Sequence, residues 1–170
     1  MRKPPYPAAA IANFFIDKKN KTNTDLTHLK LQKLLYYAQG WYMANFNERL
    51  FDEEIEAWRH GPVVRSIYRA LSGSKNNQIS NKINTVYGSV YGPQDIVESD
   101  KKTIEFLNEF WELFSPLHAY TLANSTHQPG TPWHKVYTGN SDIIGWGETI
   151  PDSLINEYFT AQKNNVKRSA

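Results

Sequence analysis

Leu26–Phe46 reads LTHLKLQKLLYYAQGWYMANF, and this stretch decides the fold. Thr27 is placed to cap a helix that runs to about Phe46. Leu31, Leu34, Leu35, Ala38, Trp41, Tyr42 and Phe46 recur at helical spacing, and Tyr36, Tyr37 and Met43 widen the stripe until little of the circumference is polar. A helix apolar on most sides belongs at the centre of a core. Gly40 costs such a helix about 1 kcal/mol relative to Ala, a cost accepted where another chain segment must come close.

Upstream, Ala8, Ile11, Ala12, Phe15 and Ile16 predict a first helix over 8–18 behind the proline-rich lead-in, and the polar run from Lys18 to Asp25 predicts a loop. Downstream, residues 50–60 predict a short extended segment. His60-Gly61-Pro62 predicts a turn, with Pro62 opening a third helix to about Leu71. Residues 72–97 predict a long loop with a hairpin at Val86–Tyr91. Asp100 can cap a fourth helix, Ser115-Pro116 can start a fifth to about Ser125, Pro132–Tyr137 suits one helical turn, and Pro151 opens the last helix. The expected fold is mainly α: a compact single-domain bundle of five to six helices with minor short strands. It comprises a lead-in at 1–7, the helical domain at 8–162 and a polar, frayed tail at 163–170.

The composition narrows the chemistry. A chain of 170 residues suits one core. It has no cysteine, so neither disulfides nor thiolate metal sites can form. No apolar run is long enough for a bilayer or a signal peptide, and a cytoplasmic location is the expectation. Phosphate-loop, dinucleotide and nucleophile-elbow patterns are missing, and none of the five histidines forms HxxxH or HExxH. Glu105, Glu109 and Glu112 share one face of the fourth helix, as solvated carboxylates do. No cofactor and no metal is therefore expected, and the chain does not read as an enzyme; the alternative is an unrecognised site around His60, His127 and His134. Lys18, Lys19, Lys21, Lys30 and Lys33 gather near the first loop. Yet a net charge of +2 and aromatics at core spacing speak against nucleic acid.

Three stretches in series resemble the Panacea, or SocA-like, antitoxin domain: Leu31-Gln32-Lys33-Leu34-Leu35-Tyr36-Tyr37; Ile55-Glu56-Ala57-Trp58 with His60-Gly61-Pro62-Val63; and His127 with Pro132-Trp133, followed by Ile150-Pro151 and Tyr158-Phe159. The resemblance spans roughly residues 8–160. It implies a helical domain of bacteria, phages and mobile elements that binds and silences toxins, with no catalytic residue set to carry over. The implied partner is a protein, either a toxin encoded nearby or, for a phage or mobile-element regulator, a host factor. One member of the family hands its toxin to a protease.

Most motif residues have packing roles available. Burying each of Leu31, Leu34 and Leu35 stabilises the fold by about 1.5–3 kcal/mol. Gln32, Lys33, Gln39 and His127 are less easily explained by packing; they either form an internal polar network or line a surface groove. Tyr6, Tyr68, Tyr87, Tyr91, Tyr137 and Trp146 fall off the main stripes and are the candidate partner-binding anchors. Trp133, driven inward by Gly130-Thr131-Pro132, is expected to plug the core with its indole N–H on a carbonyl. Trp133→Ala should therefore destabilise the protein by about 3–5 kcal/mol in denaturant unfolding, and an unchanged midpoint would place the ring on the surface.

Overall fold

The computed structural model describes residues 4–74, 76–137 and 147–169. Among them lie seven helices: α1 (Ala8–Thr22), α2 (His28–Phe46), α3 (Arg65–Leu71), α4 (Lys101–Phe114), α5 (Ala119–Thr126), α6 (Pro132–Val136) and α7 (Asp152–Ser169). Five short strands accompany them: β1 (Glu56–Trp58), β2 (Gly61–Val63), β3 (Asn84–Tyr87), β4 (Val90–Pro93) and β5 (Glu148–Thr149). None of the helices is long and apolar enough to cross a membrane.

α2 is the axis of the molecule. It packs against α1, α3, α4, α5, α7 and β2, and it is buried from His28 to Met43 except at Leu29, Tyr37 and Trp41. Thr27 accepts from the Lys30 N–H and caps its start, and Asn47 ends it in the left-handed conformation (φ 54°). α7 lies along α2 at Gly40. A side chain at that position would meet the Phe159 ring at 2.2 Å. Phe159 is fully buried, with ring centroids of Tyr36, Trp41 and Tyr158 within 5.5 Å.

The strands are accessory. β2, β1 and β5 form an antiparallel sheet with Trp58 opposite Gly61 and Ala57 opposite both Pro62 and Glu148. β3 and β4 form the hairpin expected near Val86–Tyr91, with Val86 opposite Tyr91. Gly88 takes the first central turn position at φ 60°, as a type II′ turn requires. Asn13 of α1 anchors the base of the hairpin. Its amide donates to the carbonyls of Ile83 (3.1 Å) and Gln94 (2.9 Å) and accepts from Ile83 N–H (2.7 Å).

The expected boundaries shift in five places. There are seven helices rather than five to six, because the turn at Pro132 is a helix of its own, with Thr131 capping it and Pro132 in its first turn. α1 continues through Lys18–Thr22 to a left-handed Asn23, since Lys19 and Lys21 suit a last turn and its dipole. Pro62 is a strand residue, and α3 begins at Arg65 because the Gln32 amide holds Val64 extended. Ser115 ends α4 instead of starting α5; its carbonyl accepts from the Lys30 ammonium at 2.6 Å, and His118 caps α5. α7 runs on to Ser169 across the segment expected as a frayed tail.

The close fit at Gly40 yields a test. Ala at this position would gain about 1 kcal/mol of helix propensity but force the Phe159 ring out of a filled aromatic cluster. Overpacking of that kind costs typically 1–3 kcal/mol or more. Gly40→Ala should lower the unfolding midpoint, and a raised midpoint would show that α7 slides away freely.

Candidate functional site

The three motif stretches meet at one corner of the molecule, where the β1–β2 turn rests on α2, α5 and α6. Each contact is a polar side chain meeting a main-chain group. Gln32 brackets Val64, accepting from its N–H at 2.9 Å and donating to its carbonyl at 3.3 Å. Lys33 donates to the Pro62 carbonyl at 3.0 Å. Trp133 donates its indole N–H to the Trp58 carbonyl at 2.7 Å. The His127 imidazole faces the Arg59 main chain and lies edge-on to Trp133, with centroids 4.2 Å apart. Further along α2, Gln39 accepts from the N–H groups of Leu50 and Phe51 and donates to the Phe51 carbonyl.

Gly61 permits the corner to close. Its φ is 105°, and a Cβ there would sit 2.8 Å from Lys33 Nζ and 2.9 Å from Thr126 Oγ1. Thr126 donates to the Ala123 carbonyl at 2.6 Å, while Thr131 donates to the Thr126 carbonyl at 2.7 Å, so α5 and α6 are joined under the turn.

The aromatic surroundings divide in two. Trp58 packs on Tyr68, which in turn packs on His28, with centroids 4.7 and 5.2 Å apart. Trp133 stacks on Tyr137 at 4.5 Å. Glu56 accepts the Trp58 indole N–H at 2.7 Å and pairs with Arg65, whose Nε lies 2.9 Å from Oε1.

Of the motif residues, Leu31, Gln32, Lys33, Leu34, Tyr36, Gly61, Pro62, Val63, Pro132 and Trp133 are buried, while Tyr37, Trp58 and His127 are half-buried. Gln32, Lys33 and Gln39 thus belong to an internal network. Among the anchor candidates, Tyr6 needs correction. It is fully buried, its main chain bonded to Leu50 and Asp52 and its hydroxyl donating to Asp100 at 2.8 Å. Long-range pairing with the segment after α2, which no local pattern signals, draws it inward. Tyr68 and Tyr137 are half-buried against the corner, and Tyr91 is exposed on the hairpin. Trp146 and the side chain of Tyr87 lie outside the described residues.

The histidines assemble only in part. His60 is exposed at the turn and close enough to His127 to act on its charge; His134 is exposed on α6. Among the described residues no three His, Asp or Glu side chains are placed to hold a metal. Open clefts of about 530 and 490 Å³ lie elsewhere, beside Lys30 and His118 and beside Lys82 and Tyr91. The sequence reading missed Asn13, Thr126 and Thr131. Asn13 carried a signal, a polar residue inside the apolar run of α1, and so did Thr131, a capping residue just before Pro132; Thr126 carried none.

Burial sets the electrostatics of the corner. Among the described residues Lys33 has no carboxylate partner, and desolvation pulls its amine down to about 7. Burial and then the neighbouring Lys33 hold the His28 imidazole below its ordinary value, and burial likewise lowers His127. Between about pH 7 and 10 the unfolded chain carries a proton on Lys33 that the folded chain lacks. Stability therefore rises with pH through this window, with a limiting slope of about 1.4 kcal/mol per pH unit, and the contribution is least favourable below 7. The urea midpoint should climb between pH 7.5 and 9.5, and Lys33→Met should flatten the climb. An equal climb in the variant would assign it to another group.

No solved structure matches this chain. Antitoxin SocA of Caulobacter vibrioides (strain NA1000 / CB15N) is 29% identical to it over 162 residues, covering 94% of this chain and 85% of that protein. Residues 31–134, which hold every side chain of the corner from Gln32 to Trp133, match the family described as "Antitoxin SocA-like, Panacea domain". With its three motifs closed into one hydrogen-bonded joint and most of its length matched, the chain belongs to the SocA-like, Panacea-domain antitoxin family.

Proposed function

We propose that this protein is an antitoxin that neutralises a partner toxin by binding it directly, masking it without chemistry of its own. The similarity to Antitoxin SocA across nearly the whole chain carries this reading. The way the fold uses its polar side chains supports it. Gln32, Lys33 and Gln39, the reactive or adaptable groups nearest the motifs, are committed to main-chain partners. What the molecule offers outward is contact surface. The β3–β4 hairpin exposes Val86, Val90 and Tyr91 to 67, 62 and 72%, and Tyr68 and Tyr137 edge the corner. Tyr and Trp make good interface anchors because they cover large areas at low entropic cost. The hairpin, tied to α1 by Asn13 at its base and free at its tip, suits a mobile contact element.

Masking by binding is stoichiometric. Purified protein added to the toxin encoded beside its gene should restore growth or translation in proportion to its amount and saturate at a fixed ratio. Complete rescue by a trace amount, through repeated turnovers, would replace this reading with an enzymatic one centred on His60, His127 and His134.

A further inference from the structure

The β3–β4 hairpin leaves a strand edge open. Tyr87 pairs with Val90 across the turn at Gly88 and Ser89, with Val86 opposite Tyr91, Thr85 opposite Gly92 and Asn84 opposite Pro93. Such pairs alternate in an antiparallel ladder. The pair flanking a two-residue turn exchanges its main-chain bonds, and the next pair turns its N–H and C=O groups outward. Asn13 fixes the same phase at the base of the hairpin, where its amide bridges the facing main-chain groups of Ile83 and Gln94. The outward groups therefore belong to Asn84 and Val86 on β3 and to Tyr91 and Pro93 on β4. Among the described residues nothing bonds to the main chain of Asn84 or Val86 along this edge.

The two edges differ. On β4, Pro93 has no N–H to donate, and α1 packs against the strand. β3 has none of the features that usually blunt an edge: no proline, no charged side chain and no bulge in its register. No residue from Asn84 to Pro93 is charged, and Lys82, just before them, is held by Asp17 and Asp95 at 2.9 and 2.8 Å. Asn84, Val86 and Tyr91 share one face of the hairpin, and all three are exposed. Asn84 and Tyr91 also line the open cleft of about 490 Å³, together with Leu71, Gln78 and Ser80. Two strands alone are short of the three that a sheet needs to stand by itself.

We infer that the open edge of β3 receives an extended segment of the toxin as a third strand. The inference rests on the antitoxin reading and names how the toxin is held. Main-chain bonds to Asn84 and Val86 fix the segment, and β-branched or aromatic side chains on it suit the place beside Val86. A β3–β3 pair between two copies of this chain would join only four residues a side, well short of the roughly 1,200 Å² that a stable interface buries. A toxin segment longer than β3 can continue along the cleft that Asn84 borders.

The test follows hydrogen exchange of single amides by NMR, in the free protein and with a saturating amount of the toxin encoded beside the gene. The N–H groups of Asn84 and Val86 should slow at least about tenfold in the complex, with Tyr91 changing less than about twofold. In calorimetry, Val86→Pro removes an outward N–H and should weaken binding at least about tenfold. Val86→Ala keeps that N–H and should lose less than about threefold. Should Val86→Pro lower the melting temperature, the exchange measurement on the unmodified protein decides. Tight binding that leaves Asn84 and Val86 exchanging as before, or that slows Tyr91 instead, overturns the inference and leaves the antitoxin reading standing. No binding by the unmodified protein overturns both. Slowing at Asn84 and Val86 without toxin, growing with protein concentration, assigns the edge to a second copy and overturns the inference.

Discussion

A helix buried on nearly every side has almost nowhere to leave a polar group in water, and α2 is such a helix. Its apolar residues draw α1, α3, α4, α5 and α7 around it. Its polar residues must then find partners inside the shell those helices form. Lys30, Gln32, Lys33 and Gln39 all do so on main-chain groups, at the end of α4, at the start of α3, on β2 and in the segment that follows α2. Neighbouring elements are thus positioned by hydrogen bonds as well as by packing. Apolar contacts tolerate sliding; a buried amide without its partner does not. The segment between α2 and α3, which buries Leu50, Phe51, Ile55 and Ala57, is held at both ends by these side chains, at Leu50 and Phe51 by Gln39 and at Pro62 and Val64 by Lys33 and Gln32.

Local chemistry read from the sequence located the elements whose causes are local. The caps at Thr27 and Asp100 accept the expected N–H groups, the Gly88 turn closes the hairpin, and the Trp133 indole reaches a carbonyl. Two of the displaced boundaries share one origin. Pro62 and Ser115-Pro116 both carry strong local signals for helix starts, and in both places a side chain of α2, 32 or 85 residues away, fixes the main chain differently. Tyr6 is the same case, drawn inward by a bridge to Phe51 and by Asp100. The motif residues were legible as a set, and their meeting at one corner was not, because spacing along the chain carries no information about which carbonyl Lys33 will find.

The division of labour in the molecule follows from that corner. Most of the motif residues face inward, and several of them hold the β1–β2 turn in place, whereas the exposed side chains of the turn and hairpin face outward. A frame fixed from within leaves its surface free to change, since surface substitutions rarely change stability by more than about 0.5 kcal/mol. The buried amine of Lys33 is a cost of this frame, carried because its hydrogen bond to Pro62 positions the turn.

The insertion of Phe159 against Gly40 has a consequence for how the molecule is made. α7 follows the other described helices along the chain, yet its ring fills a gap on α2, the second of them. Until α7 docks, Tyr36, Tyr37 and Trp41 lack their cover, and the nascent chain presents an aromatic slot to chaperones and proteases. Closure of the core therefore waits on a helix more than a hundred residues downstream of the slot it fills, and a chain cut short before α7 leaves that slot open.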